Sequence, residues 1–292
     1  MSVVTVGDFD GVHLGHRSLL RSVVCRAAEL NVPSVAVTFD RNAKNFLHGT
    51  SPYSLTDLEE KTALLRSEGI DSVCVLPFDS AFSGMSASDF LTFLRDRYGC
   101  TDLFGGEDFR FGCGGSGRLT DNAIVHGIRQ HVVVLKTDLV KISSSSIRAA
   151  LTDGLVERAN SWLGYAYSVT GTVIEGKHLG RTIGFPTVNL SAPEGKVLPR
   201  NGVYITETVV CGNTYRSITN VGIRPTVSDG HPRNIETHLL NADGDFYGKS
   251  ITVRFLSRLR DEMRFSDLGS LMRQLRADRD AAFSWHDPQH FS

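Results

Sequence analysis

The sequence predicts an α/β domain built on a doubly wound parallel sheet, followed by a β domain (an antiparallel barrel or a sandwich) and a C-terminal helix. Two observations predict this order. Up to about residue 151, short β-rich runs alternate with segments of helical period. From about Ala166, strands follow one another across Gly, Asn and Asp turns. We therefore expect domains at 1–150 and 166–292, joined by a helical linker at 151–165.

The first half is predicted to alternate strands and helices. Its elements are, in order, strand 3–7, helix 16–30, strand 34–39, helix 55–69, strand 72–78, helix 86–99, strand 101–106, a short helix near 121–128 and strand 131–136. Helix 16–30 carries one apolar face, and Thr56 with Glu59 has the spacing of a capping box. Such alternation indicates a parallel sheet covered on both faces, which binds ligands beyond the carboxyl ends of its strands.

The second half has a different pattern. The segments YSVTGTVIEG, VYITETVVCG, TYRSITNVG and KSITVRFLSRLR are strand-like and are separated by turn residues. Segment 266–283 closes the chain with Leu268, Leu271, Met272 and Leu275 at helical spacing. The polar-faced segment 146–164 is predicted to be helical and to bridge the two halves.

Composition and charge exclude several classes of protein. The 292 residues include 31 basic and 32 acidic side chains, and this balance argues against a duplex nucleic-acid binder. Five cysteines without C-x-x-C spacing argue against a zinc site and a disulfide scaffold. No apolar run approaches ~18 residues and no signal peptide is recognised. We expect a cytoplasmic protein without membrane or nucleic-acid partners, whose self-association, if it occurs, is weak.

The segment GDFDGVHLGH, residues 7–16, follows the first strand and predicts an anion site. His13 and His16 fall at the start of a helix, where free N–H groups and the helix dipole favour negative charge. Gly7 and Gly11 allow close approach of the backbone. The pattern suits a nucleoside triphosphate, whose phosphate oxygens accept hydrogen bonds from imidazoles. A structural histidine pair and a metal pair are the alternatives, although no third metal ligand recurs nearby.

The segment KISSSSIR, residues 141–148, predicts a second anion-binding wall. Four hydroxyls precede a helix, and Lys141 and Arg148 add positive charge. Helix capping explains one serine but not four. Taken alone, such a serine run is more often a loop than a site.

Two segments of the second half carry hard oxygen donors. In PTVN, Thr187 and Asn189 share one side of an extended segment, where they suit Mg²⁺. The alternative is a strand that simply ends in a turn. In IETHLL, Glu236 is either an exposed strand residue or the base for a substrate hydroxyl. The basic segment that contains Arg260 and Phe265 is either a solvated edge or a flavin and phosphate contact.

GDFDGVHLGH and ISSSSIR resemble the two signature motifs of the HxGH nucleotidylyltransferase superfamily, and GGEDFRFG at 105–112 narrows the likeness to FMN adenylyltransferases. The resemblance implies transfer of AMP from ATP to FMN with release of pyrophosphate, with His13 and His16 as the catalytic histidines. It also implies phosphate or ATP contacts at Gly7, Phe9, Asp10, Gly11, Ser143, Ser144, Ser145 and Arg148, and nucleotide or flavin contacts at Asp108 and Phe109.

The segments GRTIGFPTVNL, NVGIRPTV, IETHLL, FYG and LRDEMRF closely resemble riboflavin kinases, in family order across 166–283. This likeness implies a six-stranded barrel that phosphorylates riboflavin from ATP. It implies Mg²⁺ at Thr187 and Asn189 and a proton-accepting base at Glu236. It further implies ATP contacts at Gly176, Gly180, Arg181 and Gly184, and flavin contacts at Arg260 and Phe265.

Together the two resemblances imply a bifunctional enzyme that converts riboflavin to FMN and FMN to FAD, with riboflavin, FMN and ATP as its small-molecule partners. An alternative keeps the kinase but makes the first half a nucleotide- or flavin-binding module with weak or no transferase activity. TFDRNAKNF and CGGSGRLT motivate it, because both depart from the family pattern. A non-catalytic flavin carrier and a different adenylyltransferase of the same superfamily are further alternatives.

Overall fold

The computed structural model describes residues 1–41, 53–134, 142–176, 180, 183–223, 233–242 and 244–286. The chain divides into two compact units, Met1–Ser144 and Ser145–Ser292. Within the described ranges, no helix combines the length and the apolar character needed to cross a membrane.

The first unit is a parallel sheet with helices between its strands. Its elements are β1 (Ser2–Val6), α1 (Leu14–Leu30), β2 (Ser34–Phe39), α2 (Leu58–Ser67), β3 (Ser72–Leu76), α3 (Ser80–Ser83), α4 (Ala87–Tyr98), β4 (Cys100–Gly106), β5 (Arg110–Phe111), a 3₁₀ helix (Cys113–Gly115), β6 (Gly117–Arg118), β7 (Ile124–Val125) and β8 (Ile128–Val133). The sheet order is β3-β2-β1-β4-β8-β7, in which only the edge strand β7 runs antiparallel to its neighbour.

Hydrophobic cores cover both faces of this sheet, which confirms the doubly wound prediction. Val4 and Val37 face one core together with Leu94 of α4. Val3 and Ala36 face the other, where α1 and α2 pack. Adjacent strand residues point to opposite faces, so both cores need a continuous apolar run in each central strand. The chain leaves β1 for β2 on one side and β4 lies on the other, so the carboxyl end of β1 is the topological switch point.

Two local predictions for this unit were wrong. Residues 121–128 form a turn and a tight β7–β8 hairpin instead of a short helix, with positive φ at Asn122, His126 and Gly127. The capping box of α2 is formed by Asp57 and Glu60, one residue later than predicted. Asp57 Oδ1 accepts from Glu60 N at 2.8 Å, and Glu60 Oε2 accepts from Asp57 N at 3.1 Å.

The second unit is a closed six-stranded barrel, which decides between barrel and sandwich. Its elements are α5 (Ser144–Thr152, which begins at the unit boundary), α6 (Val156–Leu163), β9 (Ser168–Ile174), β10 (Val188–Ser191), β11 (Gly202–Val210), β12 (Asn213–Ile223), β13 (Arg233–Leu239), β14 (Ser250–Arg260) and α7 (Leu268–Ser284). All neighbouring strands are antiparallel, and pairing of β9 with both β10 and β14 closes the ring.

The barrel interior combines apolar side chains with a ladder of hydroxyl groups. Tyr204 and Phe255 are fully buried and meet edge to face, with ring centroids 5.4 Å apart. Alongside them, the hydroxyls of Thr206, Thr208, Ser217, Thr219 and Thr237 are linked by bonds of 2.8–3.0 Å. Because each hydroxyl is both donor and acceptor, the ladder satisfies these buried polar groups within the barrel.

The helices that precede the barrel are bonded to its strands. Asn160 of α6 donates to Phe255 O and accepts from Tyr167 N, both at 2.8 Å. Glu157 accepts from Ser257 Oγ at 2.7 Å. The segment predicted as a linker therefore packs on β14 of the second unit.

An ion pair attaches α7 to the end of β14. Arg260 donates to Asp278 through Nε and Nη2 at 2.7–3.1 Å, and Gln274 adds a bond to the same carboxylate. The Asp278 side chain is 2% exposed and that of Arg260 is 17% exposed. Trp285 follows the helix and packs on the apolar cluster that includes Ile218. This pair combines charge with bidentate geometry, which favours a fixed position for α7.

We predict that Asp278→Asn destabilises the second unit by about 2–4 kcal/mol, because it leaves a largely buried guanidinium without its counter-charge. Urea unfolding followed by tryptophan fluorescence measures this, since both tryptophans, Trp162 and Trp285, belong to this unit. The matched control is the Arg260→Met/Asp278→Leu double variant, which we expect to lose less stability than Asp278→Asn. A single variant as stable as the wild type would contradict this role for the pair.

Two candidate active sites

The loop between β1 and α1 lies at the switch point of the first unit and has an unusual backbone. Phe9, Gly11 and Val12 have φ values of 48°, 79° and 35°, in the left-handed region that disfavours Phe and Val. Phe9 and Val12 are nevertheless fixed, because both side chains are buried in the core beneath α1. Strain held in place by packing is typical of ligand-binding loops.

Buried hydrogen bonds hold this loop from two sides. Asp10 Oδ1 accepts from the N–H groups of Leu55 and Thr56 at 2.8 and 3.2 Å. Thr56 Oγ1 accepts from Gly11 N at 3.1 Å, and Ser144 Oγ donates to Asp10 O at 2.9 Å. Asp10, expected at the phosphates, thus anchors the loop with its carboxylate. Thr56 has its role here rather than as the cap of α2.

The two histidines lie together at the start of α1. His13 is the N-cap, and its Nδ1 accepts from His16 N at 3.4 Å. The rings stack with centroids 3.7 Å apart, and Phe9 meets His16 edge-on at 5.3 Å. Because His13 Nδ1 is the acceptor, the proton of the neutral ring is on Nε2. The structure therefore supports the prediction that both imidazoles sit at the helix N-terminus.

Burial keeps both imidazoles neutral at physiological pH. It lowers the pKa of His13 to about 4. The pKa of His16 is lowered well below 6.5, first by burial and then by its proximity to His13 and to the Lys61 cation. A neutral imidazole offers one N–H donor, so these rings suit hydrogen bonding to phosphate oxygens rather than a fixed positive charge.

Lys61 is a buried cation that the sequence analysis missed. The residue is 8% exposed, and its Nζ donates to Phe39 O, at the end of β2, at 2.9 Å. Burial lowers the pKa of Lys61, while Asp8, Asp10 and Asp40 oppose that shift. Lys61 lies three residues after the start of α2, a position that by itself indicates only a solvated helix face. The carbonyl group that it contacts, Phe39 O at the end of β2, is 22 residues away in sequence.

Asp108 and Phe109 follow β4, and its carboxyl end adjoins that of β1. Asp108 is exposed, and Phe109 packs against Phe111 with ring centroids 5.7 Å apart. A Cβ on Gly105 would lie 2.8 Å from the Phe109 ring, so glycine is needed there. Both predicted contact residues thus lie at the sheet edge expected to bind ligands.

The serine segment spans the unit boundary. Ser143 and Ser144 belong to the first unit, and Ser144 holds the histidine loop. Ser145 and Arg148 are grouped with the second unit, where Arg148 Nη2 donates to Ser145 Oγ at 3.2 Å. Lys141 lies outside the described residues. Across the described ranges, no three His, Cys, Asp or Glu side chains are placed to share a metal ion.

In the second unit, strand register places the predicted metal ligand beside the predicted base. Asn189 of β10 pairs directly with Glu236 of β13. Asn234 is the missed member of this group: its Nδ2 donates to Asn189 Oδ1 at 3.2 Å and to Glu236 Oε1 at 2.6 Å. Only the two-residue spacing of Asn234 from Glu236 indicated in the sequence that the two side chains share a strand face.

Thr187 borders a cavity of about 280 Å³, which is also lined by Phe246 and Tyr247. His238, a second missed residue, donates from Nδ1 to Pro186 O at 2.7 Å, since a carbonyl only accepts. Burial lowers the pKa of His238, and the bond to Pro186 opposes that shift. His238 thereby fixes the backbone just before Thr187.

The glycines of 176–190 make room for neighbouring groups. A Cβ on Gly176 would overlap Asn189 Nδ2, and a Cβ on Gly180 would overlap the carbonyl oxygen of Phe185. Gly184 has φ 77° in a turn. Arg181 lies outside the described residues. These glycines therefore shape the backbone around the oxygen donors, whatever they contact in a nucleotide.

The predicted flavin contacts lie at the carboxyl end of β14, where Arg260 is the last strand residue, and in the segment after it. Arg260 directs its guanidinium to Asp278 and to Asp261 O, so its observed role is to dock α7. Phe265 is half-buried in the segment that joins β14 to α7.

The donor set of the barrel site fits Mg²⁺. Thr187 supplies a hydroxyl, Asn189 an amide oxygen and Glu236 a carboxylate, and all are hard oxygen ligands of the kind that Mg²⁺ prefers. Mg²⁺ also keeps several waters and binds nucleotide phosphates, so two protein ligands are enough.

Comparison with known proteins matches each half of the chain to a family. The family model described as FAD synthetase matches residues 1–148, and the model described as riboflavin kinase matches 163–286. A bifunctional riboflavin kinase/FMN adenylyltransferase of Pseudomonas fluorescens is 34% identical, over 96% of this chain and 91% of its own length. This chain belongs to that family.

Other relatives extend the comparison. The Escherichia coli K12 protein of the same name is 35% identical over 94% of this chain and 90% of its own. A crystal structure described as a macrolide-efflux protein from Streptococcus pneumoniae covers 98% of this chain and 95% of its own, with a TM-score of 0.89 and 29% identity. This likeness supports the fold. The efflux in that protein's description is not matched by the family models, which concern flavins.

We predict that His13 stays neutral well below its ordinary titration range. In ¹H–¹³C spectra of histidine-labelled protein, its resonance, assigned with His13→Gln, should not move between pH 7.5 and 5.5. An unfolded histidine titrates near 6.5, so the first unit should lose stability as the pH falls from about 6.5 towards 4. A titration midpoint between 6 and 7 would contradict the burial argument.

Proposed function

We propose that this chain makes FAD from riboflavin in two ATP-dependent steps, one in each unit. The second unit phosphorylates riboflavin to FMN, and the first transfers AMP from ATP to FMN and releases pyrophosphate. The observation that carries this proposal is that each unit holds its own set of polar groups suited to one step. These are neutral imidazoles at a helix N-terminus in one unit, and a carboxylate beside hard oxygen donors in the other.

In the kinase step, Glu236 accepts the proton of riboflavin's terminal hydroxyl as that oxygen bonds to the γ-phosphorus of ATP and the bond to ADP breaks. Thr187 and Asn189 would hold Mg²⁺, which supplies positive charge to the phosphate oxygens when bound. Little covalent chemistry is required of the protein, so positioning carries most of the rate. The cavity beside Thr187, with Phe246 and Tyr247, suits the nucleotide base.

In the adenylyl transfer, a phosphate oxygen of FMN attacks the α-phosphorus of ATP, and the bond to pyrophosphate breaks. His13 Nε2–H and the first N–H groups of α1 donate to the negative charge that develops on the phosphates. We assign His16 the same role. With the adenylyltransferase domain taken as 1–150, which includes the start of α5, we assign Ser143, Ser145 and Arg148 to the outgoing phosphates. Asp108 and Phe109 are assigned to the flavin or nucleotide.

The alternative with an inactive first half is not favoured. The segments that motivated it, TFDRNAKNF and CGGSGRLT, lie outside the histidine loop, and the loop has its anchors in place. We keep domain limits of 1–150 and 166–292 for the two activities. Because both reactions consume ATP, we place the protein in the cytoplasm.

Glu236→Gln is expected to lower riboflavin phosphorylation at least ~100-fold, because glutamine cannot accept the proton, and to leave FMN adenylation intact. His16→Ala is expected to do the reverse. Separate assays, riboflavin with ATP and Mg²⁺ and FMN with ATP and Mg²⁺, measure the two steps, and each variant is the folded control for the other. Loss of both activities in a folded Glu236→Gln variant would contradict the two-site account.

Gly176→Ala is expected to lower riboflavin phosphorylation at least ~10-fold, because the added methyl group must displace the Asn189 side chain. FMN adenylation by the same preparation should stay within about twofold of the wild type, which shows that the first unit is intact. Unchanged phosphorylation would mean that Asn189 is not needed where the structure holds it.

A further inference from the structure

The strand that carries Glu236 also holds Asn234, a polar side chain with no role in the function described so far. The two residues are two positions apart on β13, so both side chains leave the same face of the strand. Asn234 is 8% exposed. A buried amide bonded to two members of one site constrains their geometry.

We propose that Asn234 is a positioning residue for phosphoryl transfer; this inference rests on the kinase function proposed above. Its planar amide nitrogen carries two hydrogens, and it donates to Glu236 Oε1 at 2.6 Å and to Asn189 Oδ1 at 3.2 Å. One rigid group therefore sets the separation of the base carboxylate and the Asn189 oxygen before any substrate binds.

The bond to Glu236 decides which oxygen takes the proton. Oε1 accepts from Asn234, which fixes the carboxylate in rotation, and we assign Oε2 to the riboflavin hydroxyl. A neutral donor also stabilises the charged carboxylate, which is the form that a base requires.

The bond to Asn189 orients the second group. It identifies the atom of Asn189 that faces Asn234 as the carbonyl oxygen, and this oxygen has a second lone pair that can face a cation. Asn234 thereby places a donor between two acceptors, the Asn189 oxygen and the Glu236 carboxylate, which belong to directly paired residues.

Size and hydrogen-bond character can be separated by substitution. Asn234→Asp keeps the shape but replaces the donor nitrogen by an acceptor, and it adds a negative charge beside Glu236. Asn234→Ala removes the donor and leaves a gap. If Asn234 only fills space, the Asp variant should have the higher kcat for riboflavin phosphorylation. If Asn234 positions the two oxygens, the Ala variant should have the higher kcat.

The test measures kcat and KM for riboflavin phosphorylation at pH 8 and pH 6. We expect kcat at pH 8 to fall about 10-fold in Asn234→Ala and about 100-fold in Asn234→Asp, the size of a lost or reversed hydrogen bond to a charged group. The Asp variant should recover relative to the wild type at pH 6. The like charge of Glu236 favours protonation of one carboxyl of the pair, and a protonated carboxyl regains one donor. Asn213→Asp, at the exposed first residue of β12 in the same barrel, is the matched control and should stay within about twofold.

Three outcomes decide the matter. A wild-type chain that forms no FMN would overturn the proposed function itself. An active wild type with an Asp variant at least as active as the Ala variant, and with no recovery at pH 6, would overturn the role of Asn234 alone.

If the Asp variant does not fold, as judged by the fluorescence of Trp162 and Trp285, Asn234→Ser replaces it. Its single hydroxyl donor should give a kcat between those of the wild type and Asn234→Ala, and a kcat below the Ala variant would overturn the inference.

Discussion

The alternation of side chains along β-strands is the constraint on which both sites depend. In the barrel, every second residue of β10 and β13 points inwards to a core of apolar and hydroxyl groups. The residues between them leave the outer face, and the antiparallel register sets Asn189 directly opposite Glu236. A register shift of one residue between β10 and β13 would place Asn189 and Glu236 on opposite faces of the sheet, so the closed ring fixes the chemistry as well as the fold.

The first unit uses a parallel sheet to the same end. Both of its faces are covered by helices, and polar groups therefore collect beyond the carboxyl ends of the strands. There the backbone turns sharply into α1, and long-range hydrogen bonds through Asp10 hold the turn. The resulting burial keeps the imidazoles neutral, so the positive potential there comes from the helix N-terminus and from the buried Lys61.

The parts of the molecule that follow from local sequence patterns were predictable. Strand alternation and helical periodicity predicted the doubly wound sheet, the β-rich second half and α7, and the motif likeness predicted a six-stranded barrel.

Contacts between residues that are distant in sequence were not predictable. The contact of Thr56 with Gly11 spans 45 residues, so local spacing indicated only a helix cap for Thr56. Asp57, the next residue, has equally good capping chemistry and forms the cap. The hairpin at 124–128 depends on positive φ at His126 and Gly127, which helical propensity does not indicate. The ion pair of Arg260 with Asp278 of α7 was not predicted either, because the two residues lie 18 positions apart.

The central claim is that one chain carries both steps from riboflavin to FAD. The most direct measurement is a time course with purified protein, riboflavin, ATP and Mg²⁺, in which riboflavin, FMN and FAD are separated by chromatography. The account predicts that FMN rises first and that FAD follows at its expense. FMN that accumulates without any FAD would contradict the role assigned to the histidine loop, and the absence of both products would contradict the account as a whole.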